Sequence, residues 1–232
     1  MMKQDVMQRS PAQRAEPLRA GRLPRWLAVG FWISVVIAIA AVVRRLIALA
    51  HPSSAGPPQM VATDADFSSH AVLTMVHIVP AAIFVILAVI VLLRDKRSVW
   101  AERLFFPFGA ITGLTAYTMS VYAIGGWTEV SAILVMDTWF LYSLGRAYWL
   151  RKLRDAERQR TWMTRSVGVL LGIATTRPVI GVFFATSRIT HLTPKQFFGI
   201  AFWIGFSINA IVTELWLHSK RRAQLRGAAT GA

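Results

Sequence analysis

Apolar residues along this chain gather in six runs separated by short polar or charged breaks. A helix needs about 20 apolar residues to cross the hydrocarbon core of a bilayer. The pattern predicts spans at about 26–50, 70–93, 104–124, 129–150, 166–187 and 195–218. The first begins at Trp26 and is interrupted by Arg44 and Arg45. Its end, Ala48-Leu49-Ala50, has the small-x-small form of a signal-peptide cleavage site. The run exceeds the usual apolar core of such a peptide, so an uncleaved first helix is expected. Residues 51–69, rich in Pro, Ser and Gly and carrying Asp64 and Asp66, are expected to form a loop. Residues 151–165 read as a basic connection, and Thr193-Pro194 as an N-cap followed by proline at the first helical position.

Composition strengthens this reading. Hydrophobic residues make up 55 % of the 232 and charged residues only 16 %, below the quarter or so of a soluble domain. The expected fold class is all-α: a polytopic transmembrane helical bundle with six spans. Residues 1–25 read as a disordered basic arm, 26–218 as one membrane domain and 219–232 as a basic tail. There is no cysteine, hence no disulfide and no thiolate metal site.

The formal net charge of +15 is explained by topology and not by nucleic-acid binding. With the N-terminus cytoplasmic, the arm, 94–103, 146–165 and 220–226 hold 21 of the 26 Lys and Arg residues. Arg44, Arg45, Arg188 and Lys195 fall outside, and Arg177 falls within the membrane. Positive charge on the cytoplasmic side then predicts both termini inside.

Ionisable residues inside spans are rare and face the bundle interior or a cavity. At a rise of about 1.5 Å per residue, His77 lies about 10 Å and Asp137 about 12 Å from the outer ends of their spans. Arg177 lies near the midplane. Tyr117 and Asn209 complete a polar layer between midplane and outer third. An unpaired guanidinium in low dielectric is costly, so Arg177 is expected to pair with Asp137. Pro178 removes a backbone bond to Ala174 and predicts a kink beside Arg177, with Thr175 and Thr176 available to freed groups. Arg103, Arg165 and Glu214 are expected to form an ion cluster at the cytoplasmic end. Gly109-Ala-Ile-Thr-Gly113 and Gly168-Val-Leu-Leu-Gly172 have the spacing that lets helices approach closely. His70 and His191, at the outer edge, are weak metal ligands by number, and no metal site is expected. Spans three to five hold no histidine, so an intrinsic bis-histidine haem is not expected.

Several of these residues fall in one pattern. Trp162-Met163-Thr-Arg165-Ser166, then Arg177, then Asn209-Ala-Ile-Val-Thr-Glu214-Leu-Trp216 resembles the bacterial membrane-protein family catalogued as domain of unknown function 2306. His77 and Arg103 resemble its upstream pattern. The resemblance covers about residues 70–220 and implies a multi-pass protein of the bacterial cytoplasmic membrane, with no activity attached. Histidines common in the family are missing: the stretch before span three is Ser98-Val-Trp-Ala-Glu102-Arg103, and Gln159 stands three residues before Trp162.

These readings leave three functional classes. The first is binding of a small hydrophobic or anionic ligand by His77, Tyr117, Asp137, Arg177 and Asn209. The second is a membrane redox component using a quinone or haem. The third is a structural or assembly partner without a ligand. No catalytic residues are identified and no cofactor is assigned. The bilayer is the expected partner, with a homo-oligomer or another membrane protein as further candidates.

Overall fold

The computed structural model describes residues 24–51, 58–93 and 98–230. Most of the basic arm expected at 1–25 therefore lies outside the described residues, as do 94–97 of the break before span three. Eight helical segments follow in order: α1 Arg25–Ala50, α2 Pro58–Ser69, α3 Ala71–Leu93, α4 Val99–Ser120, α5 Gly126–Lys152, α6 Ala156–Leu170, α7 Gly172–Thr190 and α8 Pro194–Thr230. The described residues contain no strand.

The chain divides into two units, Met1–Ile33 and Ser34–Ala232. In the first, the described residues are mainly the opening turns of α1, where the Phe31 and Trp32 rings meet edge to face. The larger unit holds the helical bundle.

Three polar stretches of that bundle are helical where the sequence suggested connections. The expected loop 51–69 contains α2, which proline can start because its missing N–H would be unpaired in the first turn. Phe67 and Asp64 on α2 then meet α1: Asp64 accepts from Arg44 Nη2 at 2.9 Å and Arg45 Nη1 at 2.5 Å, and the Arg45 guanidinium lies 3.9 Å from the Phe67 ring centre. The basic connection 151–165 reduces to a tight turn. Arg154 adopts a left-handed φ of 58°, and Asp155 caps α6 by accepting from Arg158 N at 3.1 Å. The basic tail extends α8 to Thr230. At the start of α8, Gln196 Oε1 accepts from Thr193 N at 2.9 Å, the reciprocal half of a capping box.

Pro178 sits inside α7, but the irregularity between α6 and α7 lies at Leu171, seven residues earlier. There Ala174 N bonds to Leu171 O at 3.0 Å, a tightened i to i+3 turn, so the two segments run on as one long helix. Thr176 Oγ1 donates to Ile173 O at 2.6 Å and to Gly172 O at 3.3 Å, carbonyls other than the one Pro178 deprives.

The contacts alternate ends along the bundle. At one end the α4–α5 turn meets α8: Ile124 packs against the cluster of Ile180, Phe197, Phe198 and Ala201, and Gly199 lies against Thr128 and the Glu129 backbone. At the other, Arg160 donates to Leu92 O at 2.6 Å, and Arg165 pairs with Glu214 at 2.6 Å. Arg103, the third expected member of that cluster, is exposed and has no ion pair among the described residues. Its long side chain reaches solvent, which offsets the desolvation that closer pairing would require.

Aromatic rings fill the interior. Phe84, Phe105 and Phe140 join α3, α4 and α5, with ring centres 4.4 Å and 5.6 Å from that of Phe84. Small residues allow the close approach. A Cβ on Gly109 would meet Phe84 and Leu144, and one on Gly113 would meet Leu141 and Asp137. Gly168 and Gly172 leave room for Thr213 and Phe206 of α8. The outer faces remain apolar: Ile200, Ile204, Ile208, Ile211 and Leu215 form an exposed stripe along α8. Such a stripe invites association in water and suits contact with lipid. Among the described residues, four helices are long and apolar enough to cross a membrane: Arg25–Ala50, Ala71–Leu93, Ala156–Ser187 and Pro194–Arg226.

Candidate functional site

All eight helical segments contribute to the wall of a cavity of about 510 Å³ within the larger unit. Its walls are mainly apolar, with Ile78, Val85, Phe140, Phe184, Phe202 and Phe206 among them. That size and lining suit a small organic ligand held by a few polar groups.

Polar groups enter from two sides. On the α3–α5 side, His77 lies half-buried, and its Nδ1 is 2.9 Å from Thr115 Oγ1. Asp137 is buried against Gly113, and its Oδ2 has no hydrogen-bond partner among the described residues. On the α1–α7 side, Arg177 keeps accessible surface and lines the cavity. Arg44 and Arg45 line the same region.

The expected Arg177–Asp137 ion pair is not formed. Arg177 makes no ion pair or hydrogen bond among the described residues. The charged groups in electrostatic reach of Arg177 are Glu129, Arg44 and Arg45, not Asp137. Glu129 is buried at the start of α5, and its Oε2 accepts from Gly125 N at 2.6 Å. Equal depth in different helices does not set which faces meet. Helix rotation turns Asp137 toward α4, and the α4–α5 turn brings Glu129 toward α7 instead.

His77, Asp137 and Arg177 therefore share the cavity, whereas Tyr117 and Asn209 do not line it. Tyr117 Oη lies 2.7 Å from Thr138 Oγ1, joining α4 to α5. Asn209 Nδ2 donates to Thr175 Oγ1 and to Gly205 O at 3.3 Å, joining α8 to α7. The cavity adds Arg44, Arg45, Glu129, His70 and Thr112. A sequence signal existed for the two arginines, which interrupt an apolar run. Glu129 stood at a span edge, where carboxylates are common. No group of three or more His, Asp or Glu suited to a metal occurs among the described residues.

At the opposite end, Gln159 Nε2 lies 3.4 Å from Glu102 Oε2 and 3.5 Å from Met163 Sδ. The two stretches that lack the histidines of the resembled family thus touch each other.

A family model described as a predicted membrane protein, DUF2306, matches residues 74–217. The chain belongs to this family. The matched DUF2306 region contains α4 to α7, nearly all of α3 and most of α8. It includes His77, Asp137, Glu129 and Arg177, but not the α1 and α2 residues that close the cavity on one side. No curated protein and no solved structure matches the chain.

Proposed function

We propose that this DUF2306 protein binds a small hydrophobic or anionic ligand in the cavity, from within a bacterial cytoplasmic membrane. The observation that carries this reading is Arg177: a guanidinium inside an apolar cavity with no ion pair among the described residues. A charge held in an apolar cavity without a partner is expensive, and a bound ligand offsets that expense. The buried Asp137 Oδ2, without a hydrogen-bond partner among the described residues, supports it independently.

The membrane arrangement in this proposal has six spans with both termini cytoplasmic. Helices α4 and α5 carry more polar residues than the four apolar spans, but they lie between α3 and α6–α7 in the chain. Two contacts at opposite ends of the bundle support their crossing: the α4–α5 turn packs against α8, and Arg160 bonds to Leu92 O. The positive-inside distribution then assigns residues 1–25 and 219–232 to the cytoplasm and 26–218 to one membrane domain.

Comparison of small molecules co-purifying with the wild-type protein and with Arg177→Leu tests ligand binding. Extracts analysed by mass spectrometry are expected to contain a compound retained by the wild type and depleted in the variant. Equal profiles from two equally folded proteins would sink the reading.

A further inference from the structure

Three guanidiniums lie within one another's electrostatic field at the α1–α7 side of the cavity. Arg177 is in reach of Arg44, and Arg45 is in reach of both Arg44 and Arg177. Asp64 is shared between Arg44 and Arg45 and has no ion pair with Arg177. Glu129 reaches Arg177 only through its field, and one of its oxygens is already held by Gly125 N. Like charges clustered in low dielectric repel one another strongly, and an anion placed among them relieves that repulsion. Beyond this charged end the cavity continues between apolar side chains such as Val85, Phe140 and Phe202. A small inorganic anion would leave that volume unfilled, and a hydrocarbon would leave the Arg177 guanidinium unanswered.

We infer that the ligand is an amphiphile with a carboxylate or phosphate head, the head at Arg177 and the apolar body along the aromatic wall. This rests on the proposal of ligand binding and narrows it to one chemical class. Arginine suits either head, because its planar donor fork matches both geometries. The apolar body supplies area burial, and the head supplies orientation.

The test uses the full-length protein in a neutral detergent with a fluorescent long-chain fatty acid as probe and its methyl ester as the uncharged match. The acid is expected to bind saturably, and the ester about tenfold more weakly or worse. Arg177→Gln should abolish the preference of acid over ester, whereas Arg177→Lys should keep part of it. Displacement by a lysophosphatidate but not by inorganic phosphate supports an amphiphile with a phosphate head. Displacement only by unlabelled fatty acid supports a carboxylate head. Displacement by inorganic phosphate as effectively as by either amphiphile overturns the apolar-body part of the assignment. Equal binding of acid and ester to the wild type overturns the anionic head and leaves cavity binding standing. Binding of neither overturns the amphiphile, and the co-purification comparison then judges the broader reading separately. Because the acid and ester are compared on the wild-type protein, the result does not depend on either variant folding.

Discussion

Arg177 and Asp137 look like natural partners by depth, and the fold separates them. What decides the matter is the direction in which each side chain leaves its helix. Arg177 faces the cavity near Glu129, while Asp137 lies against Gly113 with one oxygen unpaired. An unsatisfied buried polar group costs about 1–3 kcal/mol. Asp137→Val, an apolar side chain only modestly larger than aspartate, is therefore expected to raise the thermal unfolding temperature in detergent while weakening ligand retention. A clear fall in that temperature would show that the carboxyl has a stabilising partner. Arg44, Arg45 and Asp64 make the opposite point: two cations sharing one carboxylate tie α1 to α2 at the cavity edge. Their meeting needed α2 to be a helix, which its Pro- and Ser-rich surroundings concealed.

At the scale of elements, α8 shows how small residues set the packing. A Cβ on Gly205 would come within 2.6 Å of Thr176 N, and one on Gly199 within 2.7 Å of Glu129 N. These neighbours are backbone atoms, which cannot swing aside as a flexible side chain can. Gly205→Val is therefore expected to push α8 from α7 and destabilise the protein by about 1–3 kcal/mol or more. Gly145 on α5 has open space beside it, so Gly145→Ala should stabilise by about 0.5–1 kcal/mol through helix propensity. Unfolding temperatures of the two variants check the contrast, and equal effects would argue against the α7–α8 contact. The spacings Gly109–Gly113 and Gly168–Gly172 were visible in the sequence as packing signals. Gly199 and Gly205 were not, because six residues separate them and they serve different neighbours, α5 and α7.

For the whole molecule, the question is how many helices cross the bilayer. Four are long and apolar enough, and the six-span arrangement adds α4 and α5. The absence of cysteine in the natural chain makes single-cysteine labelling direct. Trp127→Cys lies at the start of α5 and is expected to react with a membrane-impermeant thiol reagent from outside intact cells. Ser219→Cys, in the basic end of α8, should react only after permeabilisation. Protection of Trp127→Cys in intact cells, with labelling after permeabilisation, would mean that α4 and α5 turn back without crossing. A separate readout addresses the redox alternative. The purified protein is expected to show no Soret band, and a Soret band in stoichiometric amount would replace ligand binding with haem chemistry.

The sequence by itself determined that the chain is helical, that it belongs in a membrane, and where α1 and α3 start and stop. Those properties follow from local quantities: the length of an apolar run, the residue at a cap, the placement of charges between runs. Position along a helix converts to distance at a fixed rise, and on that ground His77, Asp137 and Arg177 were expected in one layer. Only the tertiary structure decided which of them share a cavity and which charge stands near Arg177. Rotation of each helix about its axis depends on contacts such as Gly113 with Leu141 and Gly199 with Glu129, between residues far apart in the chain. Depth fixes one coordinate of a side chain. The other two come from packing, and they turned an expected ion pair into an open guanidinium facing an apolar space.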